Sequence, residues 1–108
     1  MPLSEKVRLE IFIPDLPDPI YANILEELGN ELTYAYGGCP RVATNGKYRS
    51  SGGVILPDKI QLLFSSFLGD RDRLIVELYA ERIRTVVKRA LLREEAIMVV
   101  AYPVFHAN

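Results

Sequence analysis

The chain has one cysteine, one histidine and no tryptophan among its 108 residues. A lone cysteine excludes an internal disulfide and any cysteine-based metal cluster. With one histidine and no clustered ligands beside it, neither a metal nor another cofactor is expected. Neither sign of charge is in excess: 13 Lys and Arg stand against 14 Asp and Glu, a net charge of −1. That balance removes the electrostatic argument for a nucleic-acid or anionic-membrane partner. No apolar run approaches the ~18 residues that a membrane span needs. The first ten residues lack the charged-then-apolar layout of a secretory leader. Repeats, linkers and low-complexity tracts are missing too. These absences leave the expectation of a soluble, cytoplasmic protein with a single domain over residues 1–108, large enough to bury roughly 65% of its unfolded surface without staples.

What is present is an order of hydrophobic patterns. Val7, Leu9, Ile11 and Ile13 alternate with Arg8, Glu10 and Phe12, the period-two signature of a strand with one buried side. Pro14 to Pro17 forces a turn. Asp18 is placed to cap a helix with Pro19 at its first position, where a missing N–H costs nothing. Ile20, Ile24, Leu28 and Leu32, joined by Tyr21 and Leu25, form a helical stripe. Gly29 interrupts it, but Gly37-Gly38 is the stronger stop signal, so the helix is expected to run to about Tyr36.

A second strand is expected over 41–50, with Asn45-Gly46 as a candidate bulge and Ser51-Gly52-Gly53 as a turn. The return strand begins over Val54 to Leu56. Pro57 suggests an edge or a break, and the pattern is firm from Lys59 to Phe67. Gly69-Asp70 opens a second helix over 70–95. Its rows Ile75-Tyr79-Ile83-Val87-Leu91 and Leu74-Leu78-Val86-Ala90 predict a wide buried face. Acids in its first half and bases in its second complement the helix dipole. A last strand closes the chain. The order βαββαβ predicts a ferredoxin-like α+β sandwich, a four-stranded antiparallel sheet with two helices on one face. The right-handed crossovers predict the strand order 4-1-3-2.

The last strand departs from the simplest version of that fold. One side carries Ile97, Val99, Ala101, Pro103 and Phe105; the other carries Met98, Val100, Tyr102, Val104 and His106. A strand with one solvated face should be polar on that face, and this one is apolar on both. Phe12 and Leu63 extend the second apolar side, depending on register. A monomer exposing so much contiguous apolar area would be unusual. The predicted interface residues are therefore Phe12, Met98, Val100, Tyr102 and Val104, buried against a second copy. The polar groups that alternation places on the same face, Arg8, Glu10 and His106, are the candidates for contacting a ligand.

Other features read as structural. Cys39 follows a helix end, where the dipole does not favour a thiolate, and fits a small buried thiol. The arginine-rich stretch 82–93 reads as a solvated helix face. Gly37-Gly38 does not lead from a strand into a helix, and Gly52-Gly53 joins two strands, so neither is a phosphate loop. No catalytic residue is assigned.

Two resemblances accompany these readings. Ile11-Phe12-Ile13-Pro14-Asp15-Leu16-Pro17 resembles the first-strand motif of RNA recognition motif domains, which share the βαββαβ order and stack bases on sheet aromatics. That resemblance implies Phe12 as a stacking residue. The third strand departs from the family, because Lys59-Ile60-Gln61-Leu62-Leu63 replaces the expected glycine-aromatic run. The segment Leu32 to Cys39, with Gly46-Lys47-Tyr48 and Gly53-Val54-Ile55, is similar to small uncharacterised bacterial proteins with a ferredoxin-like domain. This implies a fold and a bacterial, cytoplasmic setting, with no activity and no site residues. Three functions are therefore carried forward: a non-enzymatic self-associating module, which is favoured; a small-ligand-binding protein or enzyme of the dimeric α+β-barrel type with a cleft over the sheet; and RNA binding through the sheet face.

Overall fold

A computed structural model of the chain describes residues 3–68, 73–92, 94 and 97–107. The elements are β1 (Leu3–Pro14), α1 (Pro19–Tyr36), β2 (Arg41–Arg49), β3 (Ile55–Leu68), α2 (Arg73–Ala90) and β4 (Met98–Ala107). The strands form one sheet in the order β2-β3-β1-β4, and every neighbouring pair is antiparallel. This is the ferredoxin-like topology, with the first and third strands central.

Both helices pack on the side of the sheet that carries Leu9, Ile11 and Ile13, all three fully buried. Tyr21, Leu25, Leu28 and Leu32 reach the core from α1, and Ile83 and Val87 from α2; Leu63, Leu91 and Ile97 complete it. The start of α1 follows from its sequence: Asp18 Oδ1 accepts from the Ile20 N–H at 3.1 Å, and Pro19 occupies the first turn. Its end follows from Gly37, whose φ of 85° suits glycine and whose N–H donates to Thr33 O. Gly29 does not break the helix.

Several expectations need correction. α2 ends at Ala90, five residues before the expected limit, in a turn closed by the Glu94 N–H donating to Leu91 O. The proposed opening at Gly69-Asp70 lies outside the described residues. Among the described side chains only one of the two expected rows of α2 is buried. Ile83, Val87 and Leu91 lie in the core with Tyr79 against it, whereas Leu78 and Val86 of the other row are 61% and 53% exposed. The side chains of Leu74 and Ile75 lie outside the described residues. One helix lying over an edge strand meets a narrow strip of sheet, so a stripe about 100° wide is enough to bury it. Asn45-Gly46 is not a bulge, because Thr44↔Ile60, Asn45↔Lys59 and Gly46↔Asp58 pair in continuous register. Of the β4 side expected to face the helices, Ile97 is buried and Val99 packs on the core, but Ala101, Pro103 and Phe105 are exposed.

β3 is longer than its firm pattern. It begins at Ile55 and passes through Pro57, which stands opposite Lys47. The last β1 pair is Pro14↔Ile60 and Lys59 O still accepts from the Asp15 N–H at 2.8 Å, so Ile55 to Asp58 pair with β2 alone. The missing donor of Pro57 costs no ladder bond on the side that nothing pairs. The result is a two-stranded ribbon projecting past the rest of the sheet, closed by a turn at 50–54 in which Gly53 has φ 85°. The protein is accordingly elongated, 49 × 24 × 23 Å.

Candidate site on the open sheet face

Residues directly opposite in an antiparallel pair share a face, so the register assigns every side chain. In one row across the sheet stand Val42 of β2, Leu62 of β3, Phe12 of β1 and Met98 of β4, one apolar side chain from each strand. In the next, Glu10 lies between Phe64 and Val100. Beyond it Arg8 lies between Ser66 and Tyr102, and Lys6 stands beside Val104. All of these point away from the helices. The structure thus brings Phe12, Met98, Val100, Tyr102 and Val104 onto one face together with Arg8 and Glu10. His106 stands opposite Ser4 in the register, and its side chain lies outside the described residues.

Sequence reasoning missed Val42, Ile60, Leu62 and Phe64, and it offered Leu63 instead. Leu63 is 1% exposed in the core, opposite Ile11. β3 turns Gln61, Leu63 and Ser65 toward the helices, and Ile60, Leu62 and Phe64 toward the open face. The Ser65 hydroxyl survives its burial by donating to Gly38 O at 2.6 Å. The period-two set Ile60-Leu62-Phe64 is visible in sequence, but which way it faces is decided by the pairing with β1.

A polar cluster lies within this apolar surface. Glu10 Oε2 accepts from the Tyr102 hydroxyl at 2.7 Å. Arg8 Nε is 3.1 Å from the same oxygen, an ion pair whose N–H is not aimed along it, so this buried donor has no hydrogen-bond partner. The Arg8 guanidinium carbon sits 3.8 Å from the centroid of the Phe64 ring, a cation–π contact. The charges of Arg8 and Glu10 are therefore matched within one chain.

The hydrogen bond to Glu10 holds the Tyr102 hydroxyl above its ordinary pKa, because the bond favours the protonated phenol. A group whose pKa is raised on folding lends stability below its unfolded value, about 10 for tyrosine. That stability is lost as pH rises through the folded value. The alkaline absorbance titration should show the phenolate contributed by Tyr102, isolated by difference from Tyr102→Phe, moving to lower pH in Glu10→Gln. An unchanged difference titration would mean that the bond does not form in solution.

Elsewhere the chemistry is sparse. Burial pushes the half-buried Cys39 thiol up, away from a reactive thiolate. Among the described residues no three His, Cys, Asp or Glu side chains gather as metal ligands. A concavity of about 150 Å³ lies between the start of α1 and the end of α2, lined by Ile20, Tyr21 and Leu91. Pockets for small ligands are usually ~300–1,000 Å³. Among the described residues no helix is long and apolar enough to cross a membrane.

The βαββαβ order, the antiparallel sheet and the helices on one face make this a ferredoxin-like α+β sandwich. Solved structures of the same architecture match nearly the whole chain. The divalent cation tolerance protein Cut A1 of Thermus thermophilus is similar over 96% of this chain and 87% of its own, at 20% identity and a TM-score of 0.56. Its counterpart from Oryza sativa matches over 98% and 85%, at 12% identity and a TM-score of 0.52. A phage SAM lyase in its apo state matches over 97% and 86%, at 11% identity and a TM-score of 0.61. At these identities the likeness is one of fold. No family model matches the chain, and no curated protein matches it.

Proposed function

We propose that this protein is a non-enzymatic self-associating module, a homodimer in which two copies close over their open sheet faces. The observation that carries the reading is the sidedness of β3. Over residues 60–65 its apolar set, Ile60-Leu62-Phe64, faces away from the helices, while Gln61-Leu63-Ser65, with two polar members, packs beneath them. Asp58 and Ser66 flank the apolar set on the open face. A core-facing strand would reverse that choice unless the second face were also covered. Val42, Phe12, Met98 and Val100 continue the apolar surface onto the other strands.

The face is a better contact than the edges. Pro103 blunts β4, and the β2 edge carries Arg41, Lys47 and Arg49. Arg8 and Glu10 do not oppose closure strongly, because each already has its counter-charge within 3.1 Å and needs no new one from the partner. A cytoplasmic setting suits a chain with one unpaired cysteine.

One observation favours a second reading, a ligand cleft between two such sheets. The unpartnered Arg8 Nε lies beside Glu10 and Tyr102, a convergence of polar groups of the kind that orients a small ligand. RNA binding draws less support, since the carboxylate of Glu10 stands between Phe12 and Arg8 where a phosphate or base would approach. Sedimentation equilibrium at micromolar concentration and 0.5 M salt, where contacts between exposed charges are screened, tests the main reading. Twice the chain mass is expected, and a monomer would overturn it.

A further inference from the structure

We infer that the projecting β2–β3 ribbon is a second self-association element, which lays its basic side on the acidic outer surface of α1 in a neighbouring copy. It uses a surface distinct from the open sheet face. Six residues from Ile60 to Val54 carry the ribbon about 20 Å past the end of β1. Residues 51–57 are all exposed, and Val54 and Ile55 are 58% and 66% exposed. An isolated two-stranded ribbon is marginal in water, and this one carries three consecutive apolar residues, Val54-Ile55-Leu56, that its own chain leaves uncovered.

Charge chooses the occupant. The register places Lys47, Arg49 and Lys59 on one side of the ribbon together with Ile55, and the acid Asp58 on the other. All three bases are exposed, and none forms an ion pair among the described residues. The complementary surface is in the same sequence. From Leu9 to Pro40 there is no lysine or arginine, and α1 presents Glu26, Glu27 and Glu31 to solvent. Tyr34, 95% exposed near the end of α1, offers the apolar ribbon tip an aromatic contact. With 18 residues, α1 is about 27 Å long, enough to receive the ribbon's length. The ribbon of one copy and the helix of the next are different surfaces, so the contact is heterologous and builds a ring or an open chain of copies.

The test is complementation in trans, read by light scattering at low salt and at 0.5 M salt, in the wild-type background and with Val100→Asp. Lys47→Glu/Arg49→Glu and Glu26→Lys/Glu27→Lys should each weaken assembly roughly 100-fold or more through like-charge contact, and salt should weaken the unmodified contact. Mixing the two variants should restore assembly, because each ribbon then finds a helix of opposite sign. Circular dichroism keeps misfolding separate from dissociation. The proposal fails if either variant assembles as before, or if the mixture does not recover. It also fails if the ribbon variant loses only the ability to retain duplex DNA on a filter. Rescue in the Val100→Asp background does not depend on the sheet face, so the two readings fail separately.

Discussion

Ile83→Ala should lower the stability of the protein by about 2–5 kcal/mol in a denaturant titration, whereas Leu78→Ala should change it by about 0.5 kcal/mol or less. Both are apolar residues of α2, and a helical wheel drawn from the sequence alone places both on its buried side. Ile83 is 5% exposed within the cluster that includes Leu9, Ile11 and Val87, and its truncation leaves a cavity between helix and sheet. Leu78 is 61% exposed, so its removal forfeits little burial. The cost at Ile83 contains both a transfer part and a cavity part, and the second depends on how far Tyr79 and Val87 can relax inward. Equal losses at the two positions would show that α2 is rotated in solution, with the Leu78-Val86 row turned to the sheet.

The contrast also shows what a sequence of this kind carries and what it leaves open. Strand and helix order, the Asp18 cap, the Gly37 stop and the inward set Leu9-Ile11-Ile13 are local features, each written in a few consecutive residues. The sides of β3 are not local. Gln61-Leu63-Ser65 and Ile60-Leu62-Phe64 both alternate correctly, and on hydrophobicity the second set looks like the core. Pairing with β1 overrides that preference, because Ile11 opposite Leu63 fixes the register and a one-residue slip would invert the whole strand.

The width of the α2 stripe is likewise a tertiary property, set by how much sheet the helix overlies. The ribbon was hidden by Pro57, which reads as a break unless the unpaired side of β3 is known. For the candidate face, the β4 residues and Phe12, Arg8 and Glu10 were legible from alternation. The β2 and β3 residues that complete the surface required the register. Nothing in the sequence marked the hydrogen bond from Tyr102 to Glu10, whose partners are 92 positions apart.

At 0.5 M salt, which weakens the charged ribbon contact, Val100→Asp should convert the proposed dimer into folded monomers. Val100 sits on β4 directly opposite Glu10 and next to Met98 and Tyr102 along the same face. In an uncovered sheet the new carboxylate reaches water from an edge strand, so circular dichroism should report the helices and sheet intact. In the closed dimer it would be desolvated beside an existing carboxylate, and two copies would bring two such groups into one contact. Desolvation of an unpaired ion costs several kcal/mol, and even ~3 kcal/mol in total would weaken association roughly 100-fold. The opposing gain is finite. Covering about 400 Å² of apolar surface per copy contributes roughly 10 kcal/mol per copy before association and ordering costs. Val100→Lys is the internal control. Its ammonium can pair with Glu10 across the strands, so it should dissociate the dimer less than Asp does, although both are charged. The expected order in sedimentation equilibrium is wild type tightest, then Lys, then Asp. Three indistinguishable dimers would remove Val100 from the contact and, with it, the closed sheet face.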